Sequence, residues 1–590
     1  MAFITGARHS GLGRQPLWLL LALLLFSAAM VTRLAWLQLL HGAENRQRAD
    51  ENRIRLVPRN PIRGRLLDRH GRVLATSRLT YNLYVQPQQV SDEAWPHLRD
   101  RLATLLQLPP ARLDEQRRSG ASSEGFRIRL AEGLGPDQVL RFRERSIELP
   151  GAEVDVEVLR SYPNGRLGAH VLGYTSGITE EEYLRLRDQG YRIRDRVGRS
   201  GVEKVFEPHL RGEWGGQQVE VNAAGQVQRV LGEKPASAGK DLRLTLDLPL
   251  QQAAEAALEG VRKGAIVAMD ANTGAIRAMA SRPGFDPNVF SPAPSISQWA
   301  ALNGPQAPLL NRALQGFPPA STFKIVTSIA ALESDRYNPA STELTSSSYC
   351  RAGLCYRDHV SMGQLGFPLA LALSSNSFFY RAGINIGADP IFATARQLGL
   401  GSPTGVELSL EEGKGLLGDK DWKREVLAEP WTDVDTITAS IGQGAVLVTP
   451  LQMARLMAAV ANGGWLVTPH LVEPPPERQW IGFQPESFST VRKGLRLAVE
   501  RGTARALNQA HLPPVAGKTG TAEDPPRPVH AWFGGYAPAE NAQLVVVALG
   551  ENSGGSGGAV AAPMAQALFK AWFENARAAP PAPAAAAGAN

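Results

Sequence analysis

The sequence predicts an α+β protein with an N-terminal transmembrane helix, an extended and mostly β or mixed domain, and a larger domain whose antiparallel sheet is flanked by helices. Three observations support this prediction: one long apolar run near the N-terminus, short alternating stretches before residue 240, and strand patterns at both ends of the rest. The predicted segments are a cytoplasmic tail 1–15, a membrane anchor 16–40, a first domain 41–240, a second domain 241–575 and a disordered tail 576–590.

The apolar run begins at Leu17 and reaches Leu40, close to the ~20 residues that a membrane-spanning helix needs. Arg8 and Arg14 precede the run, and basic residues ahead of a span favour a cytoplasmic N-terminus. The chain beyond about residue 41 is then expected outside the cytoplasm. The alternative is a cleaved signal peptide with Ser27-Ala28-Ala29 as its cleavage site, but hydrophobicity resumes after that site.

Composition and charge exclude several classes of protein. A hydrophobic content of 43% argues against wholesale disorder. The 63 basic and 56 acidic residues give a net charge of +7, which is too weak to indicate nucleic-acid binding, and no nucleic-acid motif is present. Cys350 and Cys355 leave two possibilities open: a disulfide in an oxidising compartment, or a reduced pair.

The second domain has an antiparallel plan that is visible in its apolar pattern. A helix is predicted from Leu248 to Val261, and the last helix places Met564, Leu568 and Trp572 on one face. Strand patterns lie near both ends of the domain, with a long helical stretch between them, which favours one sheet flanked by helices. The predicted strands are 265–269, 275–279, 515–522, 531–536 and 543–549.

The first chemical motif is Ser321-Thr322-Phe323-Lys324, which follows two prolines and opens an apolar helical run. A serine and a lysine three residues apart share one face of a helix. Serine needs a base, and a lysine can serve if burial and the positive end of the helix dipole lower its pKa. The tetrapeptide alone is a weak signal, because a helix-capping serine followed by a surface lysine is common.

Two further motifs follow in the same domain. Ser374-Ser375-Asn376 supplies a hydroxyl and a carboxamide, which can relay a proton and hold a peptide carbonyl. Lys518-Thr519-Gly520-Thr521 lies on a predicted strand, where Gly520 permits close backbone approach. Lys518 is expected to supply fixed positive charge, and Thr519 and Thr521 supply hydroxyls for a carboxylate. Each motif alone is also compatible with an ordinary loop or edge strand.

The three motifs together are much more specific than any one of them. The order Ser-x-x-Lys, Ser-x-Asn and Lys-Thr-Gly is that of penicillin-binding proteins and serine β-lactamases. Only 11 of the 63 basic residues are lysines, yet two of them occupy the positions where this chemistry requires lysine.

Longer strings identify the sequence as similar to the class B penicillin-binding proteins along nearly its whole length. The string Arg63-Gly64-Arg65-Leu66-Leu67-Asp68-Arg69-His70-Gly71 resembles the first signature of that family. Gly201-Val202-Glu203-Lys204, Val219-Glu220-Val221-Asn222 and Gly442-Gln443-Gly444 resemble its elongation-type members, the penicillin-binding protein 2 group. The resemblance implies a non-catalytic pedestal or dimerisation-type domain over 41–240 and a transpeptidase domain over 241–575.

The resemblance also implies a reaction, the crosslinking of peptidoglycan stem peptides through a serine acyl-enzyme. Ser321 would attack the penultimate D-Ala carbonyl, Lys324 would remove its proton, and Ser374 would pass a proton to the leaving amine. The backbone N–H groups of Ser321 and Thr521 would form the oxyanion hole. β-Lactams would acylate Ser321 by the same route.

The remaining positions are assigned from the same resemblance. Asn376 would hold the substrate amide, while Lys518, Thr519, Gly520 and Thr521 would form the wall that grips the terminal carboxylate. No cofactor is implied.

The sequence departs from the family pattern at several points. Ala320 replaces the more usual glycine before the nucleophile, and Asn376 replaces the aspartate of some relatives. Certain relatives bind zinc with a cysteine shortly before the second motif, where this chain has Leu371-Ala372-Leu373. We therefore predict no metal, although Asp358 and His359 lie nearby in the sequence.

Four alternatives were weighed against this interpretation. A division-type class B enzyme shares all the motifs, and a class A enzyme would need a glycosyltransferase domain where residues 41–240 carry class B signatures. A serine β-lactamase would be shorter, and a scaffold with vestigial motifs would not need the lysines. The predicted location is the bacterial inner membrane, single-pass, with the catalytic domain periplasmic. The predicted partner is a polytopic rod-shape-type glycosyltransferase, and the predicted binding partners include no nucleic acid.

Overall fold

The computed structural model describes residues 15–40, 54–87, 89–120, 128–193, 195–221, 227–291, 294–351, 353–475 and 477–578. Helix α1 (Gln15–Ala35) continues into a π-helical turn, Trp36–Leu40. Its apolar span of 23 residues, Leu17–Leu39, is long and apolar enough to cross a membrane. This helix suits a single-pass anchor, whereas the predicted tail before residue 15 lies outside the described residues.

Strands and short helices alternate between residues 54 and 243. The strands are β1 (Ile54–Arg59), β2 (Leu66–Leu67), β3 (Val73–Val85), β4 (Ile128–Leu134), β5 (Ala152–Ser161), β6 (Thr175–Gly177), β7 (Arg196–Gly198), β8 (Gly215–Val221), β9 (Val227–Lys234) and β10 (Leu242–Arg243). The helices are α2 (Trp95–Leu106), α3 (Pro110–Gly120), α4 (Pro136–Glu144), α5 (Ala169–Leu172), α6 (Glu180–Leu186), α7 (Gly201–Val205) and α8 (Glu207–Leu210).

The chain divides into two compact units. The first unit takes the residues up to Ile62 together with Gly212–Ala238, and it contains an antiparallel sheet in the order β1-β8-β9. The second unit takes Arg63–Arg211 and everything from Gly239 onward. The division into compact units therefore does not fall at residue 240. The domain boundary predicted at that residue stays a prediction.

The N-terminal part of the second unit is built on β3. Strands β4 and β5 pair with β3 in antiparallel fashion, and the sheet continues through β2 to β10. Helices α2 and α4 bury apolar side chains beside this sheet, among them Leu98, Leu102 and Phe142. Two separate helices, α2 and α3, form here because Pro109 and Pro110 interrupt the helical hydrogen bonds.

A buried ion-pair cluster joins the family signature strings inside this unit. The Glu203 side chain is 0% exposed, and its two carboxylate oxygens each accept at 2.6 Å from Arg63 Nε and Arg160 Nε. Arg63 also pairs with Glu207 at 2.7 Å. Two arginines face two glutamates, so the charges of this cluster are balanced. Its ion pairs join three segments of the sequence, those that contain Arg63, Arg160 and Glu203.

The larger part of the second unit contains the remaining elements. Its strands are β11 (Gly264–Asp270), β12 (Ile276–Arg282), β13 (Thr342–Thr345), β14 (Ser348–Arg351), β15 (Leu354–Arg357), β16 (Gly363–Gly366), β17 (Leu416–Leu417), β18 (Val446–Leu447), β19 (Trp465–Leu466), β20 (Gln479–Trp480), β21 (Ala516–Asp524), β22 (Arg527–Ala537) and β23 (Leu544–Gly550). Its helices are α9 (Leu248–Ala257), α10 (Ile296–Leu302), α11 (Lys324–Leu332), α12 (Phe367–Leu373), α13 (Asn376–Ile386), α14 (Ala388–Gln397), α15 (Lys420–Trp422), α16 (Asp433–Ser440), α17 (Pro450–Ala461), α18 (Pro485–Glu500) and α19 (Ala561–Ala578).

A five-stranded antiparallel sheet organises this part, in the order β12-β11-β23-β22-β21. Both faces are covered, because alternate residues of one strand enter different apolar clusters: Ile266 packs towards α9 and α19, and Val267 packs on the side of α17. The α+β class and the sheet flanked by helices, predicted from the sequence, are confirmed. The last helix runs to Ala578 and so includes the first three residues of the predicted tail, and residues 579–590 lie outside the described part of the chain.

Candidate active site

Ser321 lies in a tight turn at the start of a buried helix. The turn, Ala320–Thr322, is 3₁₀-helical, and α11 begins directly after it at Lys324. The predicted first helical turn is thus a 3₁₀ turn that leads into the α-helix. The turn is fixed from both sides, since Ala320 N donates to Gly442 O at 2.9 Å and Thr322 Oγ1 donates to Pro319 O at 2.6 Å. Ser321 is partly exposed, whereas Lys324 is fully buried.

Lys324 is surrounded by oxygen atoms of the second motif. Its Nζ donates to Asn376 Oδ1 at 2.6 Å, to Ser374 O at 2.8 Å and to Ser374 Oγ at 3.3 Å. Burial lowers the pKa of Lys324 well below its ordinary value, and the charge of Lys518 lowers it further. Asp358 opposes this shift, but more weakly. Burial therefore favours the neutral form of this amine, which is the form that a general base requires.

Ser374 connects the two lysines. It terminates α12 in the left-handed conformation, with φ of 60°, which is uncommon for a residue other than glycine. Its Oγ receives a hydrogen bond from Lys518 Nζ at 2.9 Å and lies 3.3 Å from Lys324 Nζ. With both lysines donating to its oxygen, the Ser374 hydroxyl has its own proton free to donate elsewhere.

Lys518 lies on β21, the edge strand of the sheet, and is fully buried. Its Nζ donates to Ser374 Oγ and to Thr519 O, both at 2.9 Å. Burial lowers the pKa of Lys518 to about 7. The charge of Lys518 therefore depends on pH near neutrality, whereas the sequence suggested a fixed positive charge. An anion bound beside Lys518 would stabilise the charged form.

Gly520 allows the strand to pack directly against the nucleophile turn. A Cβ at this position would lie 2.9 Å from Pro319 O and 3.2 Å from Thr322 Cγ2. The glycine is therefore required by the protein's own turn, and not only by close substrate approach as the sequence suggested. The turn and the strand together form one continuous wall.

The two threonines of the third motif face different neighbours. Thr519 is buried, and its Oγ1 lies 2.5 Å from the hydroxyl of Thr503, which the sequence analysis did not single out. Thr521 is exposed, and its Oγ1 accepts from Gly557 N at 3.2 Å. Thr503 lies in the loop that follows α18, so no local sequence signal connects it with the third motif.

Two further features near the site were left open or missed by sequence reasoning. Cys350 and Cys355 form a disulfide across the paired strands β14 and β15, with their Cα atoms 4.0 Å apart. Asp358, noted only for its position in the sequence, accepts from Ser375 Oγ and from Ser377 N, both at 2.7 Å. Since both cysteines are in the disulfide, neither offers a thiolate ligand. The described residues contain no group of three or more potential metal ligands, and the absence of a metal stays a prediction.

Family profiles match most of the chain. The profile for "Penicillin binding protein transpeptidase domain" matches residues 264–570, and the one for "Penicillin-binding Protein dimerisation domain" matches residues 58–244. The fold and the three-motif site thus define a penicillin-binding transpeptidase as the class of protein.

Relatives and solved structures narrow the class. The peptidoglycan D,D-transpeptidase MrdA of Escherichia coli K12 is 33% identical, over 94% of this chain and 93% of the relative. A penicillin-binding protein (PBP2) of Helicobacter pylori, solved with MreC, superimposes with a TM-score of 0.79 at 26% identity, over 89% of this chain and 99% of that one. A chain from a peptidoglycan synthase complex has a TM-score of 0.74 at 35% identity, over 96% and 99%. The chain therefore belongs to the class B penicillin-binding proteins, and the predicted likeness to the penicillin-binding protein 2 group is confirmed.

Proposed function

We infer that the protein is a peptidoglycan D,D-transpeptidase, which crosslinks stem peptides during cell elongation through an acyl-enzyme on Ser321. The observation that carries this assignment is the convergence of Lys324 and Lys518 on Ser374, beside the turn that holds Ser321. Two buried lysines with lowered pKa values are unfavourable for stability, and such groups are concentrated at sites of chemistry.

Acylation begins with the transfer of a proton from Ser321 to Lys324. Because burial favours the neutral form of the Lys324 amine, this amine can accept the proton as the Ser321 oxygen attacks the penultimate D-Ala carbonyl. The C–N bond to the terminal D-Ala breaks, and the acyl group remains on Ser321 as an ester. We assign the oxyanion hole to the N–H groups of Ser321 and Thr521, which lie on the packed turn and strand.

The leaving amine of D-Ala needs a proton, and we assign its delivery to the Ser374 hydroxyl. Its hydroxyl accepts from both lysines, so it can donate its own proton outward and regain one from Lys324. Asn376 holds Lys324 through Oδ1, and its amide group is available to the substrate amide. A neighbouring stem-peptide amine then attacks the ester and releases Ser321.

Recognition of the terminal carboxylate is assigned to Lys518, Thr519 and Thr521, with Gly520 keeping the strand close to the nucleophile turn. A bound carboxylate favours protonated Lys518, whose pKa of about 7 leaves it readily charged near neutral pH. Protonation of Lys518 in turn disfavours the charged form of Lys324, because the two amines are close. Substrate binding and base activation are therefore coupled.

The membrane topology and the partner follow from the family. We propose a single-pass anchor through Leu17–Leu39 in the bacterial inner membrane, with the catalytic part in the periplasm. We also propose the domain limits 41–240 and 241–575 for the pedestal and transpeptidase domains. Because the similar solved chains come from a complex with MreC and from a peptidoglycan synthase complex, the proposed partner is a polytopic rod-shape-type glycosyltransferase.

Covalent labelling with a fluorescent penicillin tests the nucleophile. The wild-type protein is expected to be labelled and Ser321→Ala to remain unlabelled. Ser334→Ala, at the other end of the same helix, is a matched control that should label as the wild type does. Labelling that persists in Ser321→Ala would remove the assignment.

Cellular depletion tests the elongation role. Loss of the protein should make rod-shaped cells round, because side-wall synthesis stops while septation continues. Filamentation would instead assign the protein to division.

Copurification tests the proposed partner. Detergent extraction of the full-length chain, followed by purification, should recover a polytopic glycosyltransferase. Recovery of the chain alone, from cells that contain such a glycosyltransferase, would contradict the proposed partner.

A further inference from the structure

Asp358 lies beside the second motif, Ser374-Ser375-Asn376. It contacts Ser375, which belongs to the motif, and Ser377, which follows the motif directly. Its side chain is 0% exposed. One carboxylate oxygen, Oδ2, accepts from Ser375 Oγ and from Ser377 N, both at 2.7 Å. The other oxygen, Oδ1, accepts from Val360 N at 3.2 Å. A buried carboxylate with several donors is held firmly, because each lost hydrogen bond would leave charge unsatisfied.

The segment that Asp358 holds is strained. Ser374 has φ of 60°, a conformation that costs of order 1 kcal/mol for a residue with a side chain. Ser375 caps α13, since its Oγ accepts from Phe378 N at 3.3 Å, and the same Oγ donates to Asp358. Asp358 therefore fixes the residue that follows the strained one, and such a conformation persists only where its surroundings determine it.

Within the described part of the chain, the strained segment supplies every hydrogen-bond acceptor of the Lys324 amine. Two come from Ser374 and one from Asn376, at 2.6–3.3 Å. A shift of the turn by a fraction of an ångström would move these acceptors relative to Lys324 and the Ser374 hydroxyl relative to both lysines. Catalytic groups are sensitive to shifts of this size.

Asp358 is itself held by the disulfide-closed strands. It follows β15 directly, and its backbone N donates to Ser347 O, which directly precedes β14, at 2.9 Å. The Cys350–Cys355 disulfide joins the two strands. Tyr349 and Tyr356 at the strands pack against Tyr380 of α13 and Ile437 of α16.

We propose that Asp358 is a positioning residue, which fixes the Ser374–Asn376 turn in its reactive conformation, and that the disulfide between β14 and β15 holds Asp358 in place. The inference rests on the proposed function, because it assigns a role to groups around Lys324. Asp358 touches neither substrate nor nucleophile, and its effect is transmitted through Ser375 and the backbone of Ser377.

The kinetics of penicillin acylation in the full-length protein separate positioning from mere stabilisation. In Asp358→Asn, one carboxylate oxygen is replaced by an NH2 group, which cannot accept. The carboxamide therefore cannot accept both from Val360 N on one side and from Ser375 Oγ and Ser377 N on the other. The acylation rate constant is expected to fall about 100-fold, with the dissociation constant of the initial penicillin complex nearly unchanged. The residual label should still map to Ser321. An unchanged acylation rate constant, or a loss confined to initial binding, would overturn the proposal.

Three variants complete the experiment. Ser375→Ala removes one of the two donors and should lower the same rate constant by a smaller factor; an unchanged rate would overturn the proposal even if Asp358→Asn does not fold. Leu354→Ala, on the same strands but 52% exposed, is the matched control and should acylate as the wild type does. Cys350→Ser/Cys355→Ser should lose part of the rate, as should the wild type after reduction, whereas reduction should leave the double variant unchanged.

The two proposals fail in different ways. If Ser321→Ala is still labelled, the nucleophile assignment is wrong, whatever Asp358→Asn does. If Ser321→Ala is inert and folded Asp358→Asn acylates at the wild-type rate, only the positioning role is wrong. If the reduced wild type keeps its full rate while Asp358→Asn loses it, the role assigned to the disulfide is wrong.

Discussion

The ion-pair cluster around Glu203 and the lysine pair around Ser374 are both buried in the same compact unit, but only the first is balanced in charge. Glu203 faces Arg63 and Arg160, and Glu207 also pairs with Arg63, so two negative charges offset two positive ones. Among the hydrogen bonds described for Lys324 and Lys518, none is to a carboxylate. The balanced cluster keeps its charges and ties segments together, whereas the unbalanced lysines tend to lose protons. Burial without a counter-charge therefore distinguishes the reactive site from the structural one.

The strongest test of this contrast is to remove the base. Lys324→Met keeps the length of the side chain but removes its amine, and acylation by penicillin should slow about 10⁴-fold. The free energy of unfolding should change little, because removing a buried amine that has no carboxylate partner offsets the loss of its hydrogen bonds to Ser374 and Asn376. Stopped-flow labelling and chemical denaturation measure the two quantities. Lys420→Met, at a surface ion pair with Asp389, is the matched control.

Breaking the balanced cluster should have the opposite signature. Glu203→Gln leaves Arg63 and Arg160 without their shared carboxylate, which should lower the free energy of unfolding by about 4 kcal/mol. The acylation rate constant of the folded fraction should change little. Glu181→Gln, at an exposed position of α6, should leave stability unaltered. A Glu203→Gln protein as stable as the wild type would show that the cluster does not stabilise the fold.

The lysine site should also respond to pH in a way that the balanced cluster does not. The unfolded chain holds the Lys518 proton up to its ordinary pKa of 10.5, whereas the folded protein holds it only up to about 7. Between these values the unfolded state binds more protons, so the free energy of unfolding rises with pH. Relative to Lys518→Met, wild-type stability should rise by about 1.4 kcal/mol per pH unit between pH 7.5 and 9.5. Denaturation curves of both proteins at the two pH values measure this difference, and a constant difference would contradict the lowered pKa.

The smallest expected effect concerns the residue before the nucleophile. Ala320 has φ of 49°, in the left-handed region, where glycine is free of the strain that a Cβ brings. The alanine that replaces the family's more usual glycine is therefore held in a strained conformation. Ala320→Gly should raise the free energy of unfolding by up to about 1 kcal/mol, seen as a higher Tm. A lower Tm would mean that the strain is relieved elsewhere.

The sequence was sufficient to predict those strands and helices that depend on the local spacing of apolar residues. The short apolar run 265–269 predicted a strand, and the spacing of Met564 and Leu568 predicted the last helix. Motif order was sufficient to select Ser321, although its role stays a prediction. The 3₁₀ turn at Ser321, where the sequence predicted the start of a helix, is set by contacts that the local pattern does not show.

What the sequence did not reveal depends on contacts between distant segments. The lowered pKa of Lys518 comes from burial by residues far away in the chain, so its conditional charge had no local signal. The hydrogen bonds of Asp358 to the second motif and the hydroxyl contact of Thr503 are likewise visible only in three dimensions. The two cysteines had a short spacing, but only the pairing of their strands decides that they meet.

The order of the large sheet has a consequence for how the protein can be made. Strand β23, the last to be synthesised, lies between β11 and β22, so the first and last thirds of the catalytic region share a ladder. A chain that ends before Leu544 would contain every catalytic motif, yet β21 and β22 would have nothing to join them to β11. Such a truncated chain should be inactive. During translation the catalytic motifs should also be inactive, because the sheet that brings them together forms only after the final strand has been synthesised.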